Sequence, residues 1–417
     1  MGRAHEGDGG TESRRLLVLG AGPAQVGLLE TARRRGLTVV AADRDPAAPG
    51  FPCADRRAIV SIEDEPGIER LARAENVDGL IAPGSDHAIA LAARVAARLA
   101  LPHPVDPDTA LLAASKRRQR ERLAEAGVAQ PRSRLCRTLE EVVAAADELG
   151  YPCVIEAPDR AGERGVALAA DRDAVAAAAA EAVAASRNDY CLVEELVGGR
   201  IATVTGFALE GTLVALTLTE REPAPPPAFG VSLGHGWPAA LEPADADAAV
   251  EVVASAAAAL GVGHGPVSAQ VVLAPQGPLL AKLSARTGGG HDSELCRAAT
   301  GVDLDDLAIA AALGEPVAAE RLRPAALAGG ACVRFLVASA GELAETRGVD
   351  AARAVPGVRS VRIYREAGHR FEELRRASDR AGAVLAVGAT RAEAEAAATE
   401  AAGLVDLVVT PGAGTPA

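Results

Sequence analysis

The stretch GPVSAQVVLAPQGPLLAKLSARTGGGH, residues 265–291, decides how this chain is interpreted. Within it, residues 267–273 and 278–284 are two runs rich in apolar residues, and the Pro-Gln-Gly segment between them predicts a β-hairpin. The run Gly288-Gly289-Gly290 follows the second strand, and glycine allows a backbone to approach a ligand closely. The segment therefore predicts a paired strand that leads into a loop suited to ligand binding.

The composition limits what the chain can bind. Its 417 residues include 43 Lys and Arg against 56 Asp and Glu, which gives a net charge of −13. A general nucleic-acid-binding protein needs a basic surface, so this class is disfavoured, although one basic pocket can still bind a small anion. Aromatic residues make up 2% of the chain, so the core is predicted to consist mainly of Ala, Val and Leu.

The sequence also predicts the cellular setting. Residues 1–14 are polar and glycine-rich, predict a disordered tail and lack the apolar segment of a signal peptide. No uninterrupted apolar run is long enough to predict a membrane span, so we expect a cytoplasmic protein. The cysteines form no CxxC pair, which indicates reduced thiols that act as small buried hydrophobes: Cys53, Cys136, Cys153, Cys191, Cys296 and Cys332.

Residues 15–110 alternate short apolar runs with helical stretches. An apolar run before Gly20-Ala21-Gly22, a helical stretch and a second apolar run ending at Asp43 form the opening of a βαβ unit. The pattern predicts a small doubly wound, Rossmann-like domain. Gln25 stands where a dinucleotide fingerprint has its third glycine, so a tight turn that binds no nucleotide is favoured.

The rest of the chain predicts mixed strands and helices. Residues 107–130 predict one charged helix that ends at Gly127, and Thr138 predicts the N-cap of the next helix. Further strands are predicted at residues 153–156, 166–169, 190–194, 202–208 and 213–219, and a further helix at residues 244–260.

Seven stretches, in order, resemble the ATP-grasp superfamily, specifically the carboxylate–amine ligase branch that includes L-amino-acid ligases. The resemblance covers roughly residues 15–410. The stretches are DPDTALLAASK (106–116), LAEAGVAQP (123–131), LGYPCVIEAPDRAGERGVAL (149–168), VEELVGG (193–199), GHGWPAAL (234–241), GPLLAKLSARTGGGH (277–291) and TGVDLDDLAIAAALGEP (300–316).

The resemblance implies an ATP-grasp fold of the α/β and α+β class. It implies a Rossmann-like N-terminal domain at 15–110, a small lobe at 111–192, a large lobe at 193–328 and a C-terminal α+β lid unit at 329–417. In this family a cleft between the lobes holds ATP, and Mg²⁺ bridges the phosphates. A carboxylate attacks the γ-phosphate, and an amine displaces the resulting acylphosphate. The protein contributes mainly positioning and charge neutralisation.

Three positions that the resemblance assigns to Mg²⁺ depart from the family pattern. Gln270 replaces an acidic or amide residue, Lys282 replaces a metal-bridging Glu, and Ser284 replaces an Asn. Mg²⁺ requires hard oxygen ligands, usually carboxylates, and an ammonium group repels it. The sequence therefore predicts a degenerate metal site and no standard cofactor.

The phosphate and nucleotide positions depart in the same direction. Glu156 replaces a phosphate-contacting Lys, and Arg200 replaces a Glu of the nucleotide site. We expect Glu156, Arg200 and Lys282 to face one cleft and to pair with each other, because burying them unpaired is costly. The loop 159–165, which matches the mobile phosphate lid, carries two acids, and this also argues against a triphosphate.

Other matched positions persist. The resemblance implies that Arg286 contacts a phosphate or a substrate carboxylate, a task that suits its planar guanidinium. It implies cofactor contacts at the positions of Lys116, Glu194, Arg200, Gly162 and Gly165. Lys116 can equally be an exposed lysine on a basic helix.

Two loop histidines, His235 and His291, are candidate acid or base groups together with Glu156 and Lys282. Asp292 and Glu294 follow His291 and can either orient it or serve as acids of a helix N-terminus. Trp237 can line a substrate pocket or belong to the core.

Three functions remain open at this point. The first is a repurposed biosynthetic enzyme that acts on an amino-acid- or carboxylate-like small molecule without the usual Mg-ATP. The second is a catalytically silent pseudo-ligase that binds or regulates a partner. The third is an active ATP-dependent carboxylate–amine ligase with altered metal ligation, which would need ATP and Mg²⁺. A homodimer is compatible with each of the three.

Overall fold

The computed structural model describes residues 13–160 and 164–410. The predicted tail lies outside these residues except for its last two positions. Arg14 does not belong to a disordered tail, because its guanidinium donates to the Leu313 carbonyl at 2.8 Å and its own carbonyl accepts from Thr38 N. Ordered structure therefore starts slightly earlier than predicted.

The N-terminal unit is a four-stranded parallel sheet in the order β3-β2-β1-β4. Its elements are β1 (Arg15–Leu19), α1 (Val26–Arg34), β2 (Thr38–Asp43), β3 (Arg56–Ile59), α2 (Glu65–Ala74), β4 (Gly79–Ile81) and α3 (Asp86–Arg98). The predicted tight turn is present. Gly20 has a φ of +102°, and buried Gln25 donates through Nε2 to the Pro83 carbonyl at 2.7 Å.

The charged segment that follows forms two helices, α4 (Pro107–Ala114) and α5 (Lys116–Glu125). The prediction of one helix over residues 107–130 was wrong, because Ser115 between them has extended backbone angles and its side chain accepts from Arg118 N. A serine that caps a new helix in this way interrupts the preceding one. The break places Lys116 at the first turn of α5.

A second, antiparallel sheet has the order β5-β8-β6-β7. Its elements are β5 (Ser133–Cys136), α6 (Leu139–Leu149), β6 (Cys153–Glu156), β7 (Val166–Ala169), α7 (Val175–Ala185) and β8 (Cys191–Glu195). Thr138 caps α6 as predicted, and Glu141 completes a capping box. All six cysteines of the chain are free thiols, and all except half-buried Cys53 are buried.

An eight-stranded sheet, β13-β12-β9-β10-β11-β14-β18-β16, dominates the remainder, beside a three-stranded sheet, β17-β15-β19. The first half contains β9 (Arg200–Leu209), β10 (Thr212–Pro223), β11 (Ser232–Trp237), α8 (Pro243–Ala259), β12 (Gly265–Ala274), β13 (Gly277–Ser284), α9 (Asp292–Thr300) and α10 (Leu304–Ala312). The second half contains β14 (Gly330–Leu336), β15 (Gly341–Arg347), α11 (Val349–Ala354), β16 (Val358–Ile363), β17 (Arg370–Phe371), β18 (Gly382–Gly388), α12 (Arg391–Leu404) and β19 (Asp406–Thr410).

The large sheet bears on the predicted unit boundaries. It joins strands of the predicted large lobe to strands of the predicted lid unit, so backbone hydrogen bonds cross residue 328. The boundary at 192 falls inside β8, which belongs to the four-stranded antiparallel sheet. The unit boundaries themselves stay a prediction.

The two faces of the large sheet differ in polarity. One face packs apolar side chains such as Val204, Ala269 and Leu283 into a core with α8. Because side chains alternate along a strand, the residues next to these point to the opposite face. That opposite face, which we call the cleft face, is turned toward the N-terminal unit and holds the candidate site.

Candidate functional site

Two rows of polar side chains cross the cleft face in register. Their hydroxyl, amide and ammonium groups take the place of the apolar side chains that fill the other face. The first row is Lys282, Gln270, Thr203 and Thr219, and the second is Ser284, Ser268, Thr205 and Thr217. These rows form the floor of the cleft.

One buried carboxylate pairs with two cations, Lys282 at the end of the first row and Arg286 just beyond it. Lys282 Nζ lies 2.6 Å from Asp86 Oδ2, and Arg286 Nε lies 2.7 Å from Asp86 Oδ1. Burial alone would raise the pKa of Asp86, but the charges of Arg286 and Lys282 outweigh it and hold that pKa well below its usual range. Asp86 therefore stays ionised, and the three residues carry a net charge of about +1.

A second ionic network joins α5 to the four-stranded antiparallel sheet. Lys116 Nζ contacts the Glu156 carboxylate and lies 2.6 Å from Glu194 Oε2, while Arg120 Nε lies 2.6 Å from Glu194 Oε1. Arg120 also donates to the Ala281 carbonyl of β13 at 2.8 Å. Two acids and two bases balance, so the network has no excess positive charge.

The two acids of this network differ in acidity. Burial would raise the pKa of Glu194, but Arg120 and Lys116 outweigh it and lower that pKa to about 2. Burial raises the pKa of Glu156, Lys116 opposes this rise, and the negative charge of Glu194 adds to it. Glu156 is therefore the carboxyl group that takes up a proton more readily.

Both lysines of the chain lie in these two clusters, although arginine supplies nearly all other basic side chains. Lys116 sits between two carboxylates, and Lys282 reaches the carboxylate of a helix N-terminus. A lysine ammonium is a compact point charge, whereas the arginine guanidinium is a wide planar fork. The geometry of both clusters explains why lysine rather than arginine occupies these positions.

The expected pairing among Glu156, Arg200 and Lys282 was wrong. Glu156 pairs with Lys116 of α5, and Lys282 pairs with Asp86 of α3. The fold brings these two helices closer to the residues than the expected partners are. Arg200 lies on the face of β9 opposite the cleft face, half exposed, where it pairs with Glu220 at 3.0 Å. The partners Lys116, Asp86 and Glu220 are distant in sequence from the residues they pair with, so local patterns did not predict them.

Part of the lid loop is held in place by Asp159. Its carboxylate accepts from Arg187 N and Asn188 Nδ2, both at 2.8 Å, and Arg187 also pairs with Glu63 of the N-terminal unit. Gly165 has a φ of +66°, and a Cβ there would meet Ala185 at 2.5 Å. Gly162 and Glu163 lie outside the described residues.

His235 and His291 converge on the cleft beside α9. His235 Nε2 lies 2.7 Å from the Gly290 carbonyl, and its Nδ1 lies 4.0 Å from Asp292 Oδ1. His291 Nδ1 lies 3.1 Å from Glu294 Oε1. Both alternatives for the acids hold, because Asp292 and Glu294 face the histidines and also occupy the first turn of α9.

The C-terminal unit contributes aromatic side chains to this site. Tyr364 OH contacts His291 Nε2, and the Phe335 ring stacks on His235 with centroids 6.3 Å apart. Burial raises the pKa of Tyr364, so its hydroxyl keeps its proton. Trp237 packs on the same apolar cluster as Phe335, which favours the core alternative for it.

Sequence reasoning missed three residues of the site: Asp86, Arg120 and Tyr364. Asp86 had one usable signal, because it follows the carboxyl end of a parallel strand, where ligand sites of α/β sheets collect. Arg120 is hidden among the other charged residues of α5, and Tyr364 lies in a segment without a motif.

The donor set does not fit Mg²⁺. Gln270 and Ser284 offer one amide and one hydroxyl oxygen, while Lys282 lies directly opposite Gln270 and two residues before Ser284 on β13. Within residues 13–160 and 164–410, no group of three or more His, Cys, Asp or Glu side chains is arranged to hold a metal ion.

The same part of the chain contains no helix long and apolar enough to cross a membrane.

Comparison with known proteins identifies the fold family. Residues 115–202 match the carbamoyl-phosphate synthase L chain, ATP binding domain, and residues 334–410 match L-amino acid ligase C-terminal domain 2. The structure of an L-amino acid ligase from Bacillus licheniformis aligns with a TM-score of 0.81 at 20% identity, over 95% of this chain and 99% of that one. The chain belongs to the ATP-grasp superfamily.

Two curated relatives of this ATP-grasp chain extend over most of its length. The uncharacterized protein y4rH of Sinorhizobium fredii is 28% identical over 406 residues, 92% of this chain and 80% of the relative. A formate-dependent phosphoribosylglycinamide formyltransferase of Thioalkalivibrio sulfidiphilus is 29% identical over 410 residues, 95% of this chain and 97% of the relative. The predicted superfamily and fold are thus confirmed, and the roles of the site residues stay predictions.

The two buried carboxylates make the stability sensitive to acid. The pKa values of Asp86 and Glu194 are lower than their ordinary values, so their stabilisation is complete above about pH 4.5 and is lost as the pH falls. We expect urea unfolding curves to show a falling free energy of unfolding between about pH 4.5 and 2.5. Asp86→Asn should show a shallower fall, and an unchanged slope would contradict this.

Proposed function

We propose that this chain is an enzyme of the carboxylate–amine ligase lineage, repurposed for a biosynthetic step on an amino-acid- or carboxylate-like small molecule. The step proceeds without standard Mg-ATP chemistry. The observation that carries the proposal is Lys282, whose ammonium lies 2.6 Å from Asp86 at the position where the resemblance implies a metal-bridging carboxylate. The expected cytoplasmic location and homodimer stay predictions.

The electrostatics of the metal position support this proposal. A divalent cation beside the hairpin would meet Lys282 and Arg286, and the carboxylate next to them, Asp86, already contacts both. Like charges at short range in a partly desolvated cleft repel strongly. The site favours an anion over a metal ion.

The phosphate position supports it independently. The resemblance implies a lysine at position 156 that helps to neutralise a triphosphate. In this chain the position is Glu156, and the carboxylates of Glu156 and Glu194 neutralise the charge of Lys116. Catalysis of phosphoryl transfer depends on surplus positive charge around the phosphates. A cluster without that surplus is poorly suited to the task.

The remaining groups are suited to general acid–base chemistry. Arg286 and Lys282, with a net positive charge beside Asp86, provide the anchor for a substrate carboxylate. Glu156, whose pKa is raised by burial, and the histidines His235 and His291 are the candidates that donate or accept a proton. Glu156 and His235 lie on strands, and His291 lies at the N-terminus of α9.

An active ATP-dependent ligase is the second candidate. It is favoured by one observation, the match of residues 115–202 to an ATP binding domain that includes Lys116. In that case a substrate carboxylate would form an acylphosphate that an amine displaces. The donor set at Lys282 argues against it.

A charge-reversal variant tests the proposal. We expect the native chain to show no Mg²⁺-dependent heat of ATP binding at millimolar Mg-ATP in calorimetry, and no ADP release with amino acids. The triple variant Glu156→Lys, Lys282→Glu, Ser284→Asn restores the implied phosphate and metal groups. It should bind Mg-ATP at least about tenfold more tightly, a gain of about 1.4 kcal/mol.

The matched control makes two charge reversals and one Ser→Asn exchange at exposed positions: Glu121→Lys, Arg353→Glu and Ser378→Asn. It should bind nucleotide no better than the native chain. ADP release by the native chain would establish the second candidate. Turnover that survives Arg286→Gln, His235→Gln and His291→Gln would contradict the catalytic and binding roles proposed for these residues. A triple variant that binds Mg-ATP no more tightly than the native chain would contradict the match of these positions to the family.

A further inference from the structure

Two buried cysteines lie directly opposite each other in the four-stranded antiparallel sheet. Cys136, the last residue of β5, is in register with Cys191, the first residue of β8. The side chains of directly opposed residues in an antiparallel pair point to the same face of the sheet. Both thiols are free and lie in the apolar core beside α6 and α7, where the two residues are 2% and 0% exposed. The fold therefore brings together two thiols that are far apart in sequence.

The strand pairing sets the distance between the two cysteines. Glu195 N donates to the Arg132 carbonyl at 3.0 Å between the same two strands. Hydrogen-bonded pairs alternate along antiparallel strands, so Cys136 and Cys191 also form a hydrogen-bonded pair. The Cα atoms of such a pair are about 5.5 Å apart, within the roughly 4.4–6.8 Å that a disulfide spans. The Cβ atoms are up to about 1 Å farther apart than in a disulfide, so a bond requires a small inward movement of one strand.

The position of β5 allows this movement. β5 is the edge strand of its sheet, and the cysteines are the last residue pair of the β5–β8 pairing. Just beyond them, the Arg137 guanidinium lies 5.9 Å from the centroid of the Tyr190 ring, a cation–π contact that covers the end of the two strands. The end of an edge strand opens locally at a smaller cost in free energy than the centre of a sheet. Local opening at this end gives solvent access to both thiols.

Burial keeps the two thiols protonated while the strands are paired. It raises the pKa of Cys136 to about 12 and the pKa of Cys191 to about 11. The thiolate is the form that attacks a disulfide, so the buried thiols react slowly and the exposed thiols react faster. The rate of oxidation is therefore limited by how often the end of β5 opens.

A bond between these cysteines would cross-link the whole small sheet. The elements α6, β6, β7 and α7 all lie between Cys136 and Cys191 in sequence. Joining the two residues closes this segment into one loop and reduces the conformational freedom of the unfolded chain. β8 also carries Glu194, which pairs with Lys116 and Arg120, so the bond fixes the strand that supports this ionic network.

We infer that Cys136 and Cys191 form a reversible redox site, at which a small-molecule disulfide oxidises the two thiols to one cross-strand disulfide. The Cys136 thiolate, at the end of the edge strand, attacks one sulfur of the small disulfide, forms a mixed disulfide and releases one thiolate of the reagent. The Cys191 thiolate then attacks the Cys136 sulfur and releases the second. The protein loses two electrons and two protons, and the reagent gains them as two thiols. This inference does not depend on the proposed function.

Oxidised glutathione tests the site on the native chain. After the reaction is stopped with acid, the remaining thiols are alkylated in denaturant and counted by mass spectrometry. The oxidised chain should carry two alkyl groups fewer than the reduced chain, and peptide mapping should show Cys136 joined to Cys191. The equilibrium constant for urea unfolding should fall at least about tenfold, and dithiothreitol should reverse both changes. A chain that keeps all its thiols, or that stops at a glutathione adduct, would overturn the inference.

Alanine variants locate the bond. Cys136→Ala and Cys191→Ala should each lose the cross-link and the gain in stability. The matched control is Cys153→Ala, because Cys153 is buried in the same core but lies opposite Glu195 and Ala169. This control should form the cross-link as the native chain does. A cross-link that uses Cys153, that joins two chains or that forms only in urea would contradict the assignment, and the peptide map of the native chain decides if a variant fails to fold.

Discussion

Replacing Asp86 with alanine is expected to lower the free energy of unfolding by about 3–5 kcal/mol, the range for removing one partner of a buried charge pair. The Asp86 side chain is 4% exposed and touches both Lys282 and Arg286. Without it the Lys282 ammonium and the Arg286 guanidinium lose the carboxylate that they share. Urea unfolding followed by circular dichroism measures the loss.

Two controls separate this effect from the loss of any charge. Glu121→Ala removes an exposed partner of Arg117 on α5 and should change stability by at most about 0.5 kcal/mol. Lys282→Met leaves Asp86 paired with Arg286, so it should be milder than the loss of Asp86. An Asp86→Ala variant no less stable than Glu121→Ala would show that Asp86 is not buried between two cations.

Replacing Glu194 with alanine is the second large effect, again about 3–5 kcal/mol. Glu194 accepts from Arg120, whose side chain is 5% exposed, and from Lys116. Its removal leaves the Arg120 guanidinium buried with only neutral acceptors, such as the Ala281 carbonyl. The same urea titration measures this loss.

Glu156 supplies the matched control within the same network. Glu156→Ala leaves Lys116 paired with Glu194 and removes the repulsion between the two carboxylates. We therefore expect a much smaller loss, about 1 kcal/mol. Equal losses for the two variants would mean that the two acids are not distinguished by their partners.

Much of the local structure was predictable from the sequence. The hairpin at 265–284 is signalled by the turn segment between its two strands. The cap of α6 is signalled by the hydroxyl side chain of Thr138 just before the helix. The helix break at Ser115 was missed because a basic, strongly helix-forming segment follows it. Composition outweighed the capping residue in that prediction, although the cap decides where a helix begins.

The candidate site was predictable only in part. Lys282 was identified from its place in the second strand of the hairpin and Arg286 from its place after it. His235 and His291 were identified from predicted loops, although His235 lies in β11. Their partners were not, since Asp86 lies 200 residues from Arg286 and Tyr364 lies 73 residues from His291. Only the sheet register put Arg200 on the far face of β9.

The sequence alone predicted most of the elements from local patterns, and the resemblance carried by its motifs implied the exchange of charge signs at Glu156, Arg200 and Lys282. The tertiary structure decided which charges meet. Ion pairs depend on distance in space, and strand order and helix placement set that distance. Asp86 with Lys282, Glu194 with Arg120, and Asp292 with His235 are therefore properties of the fold.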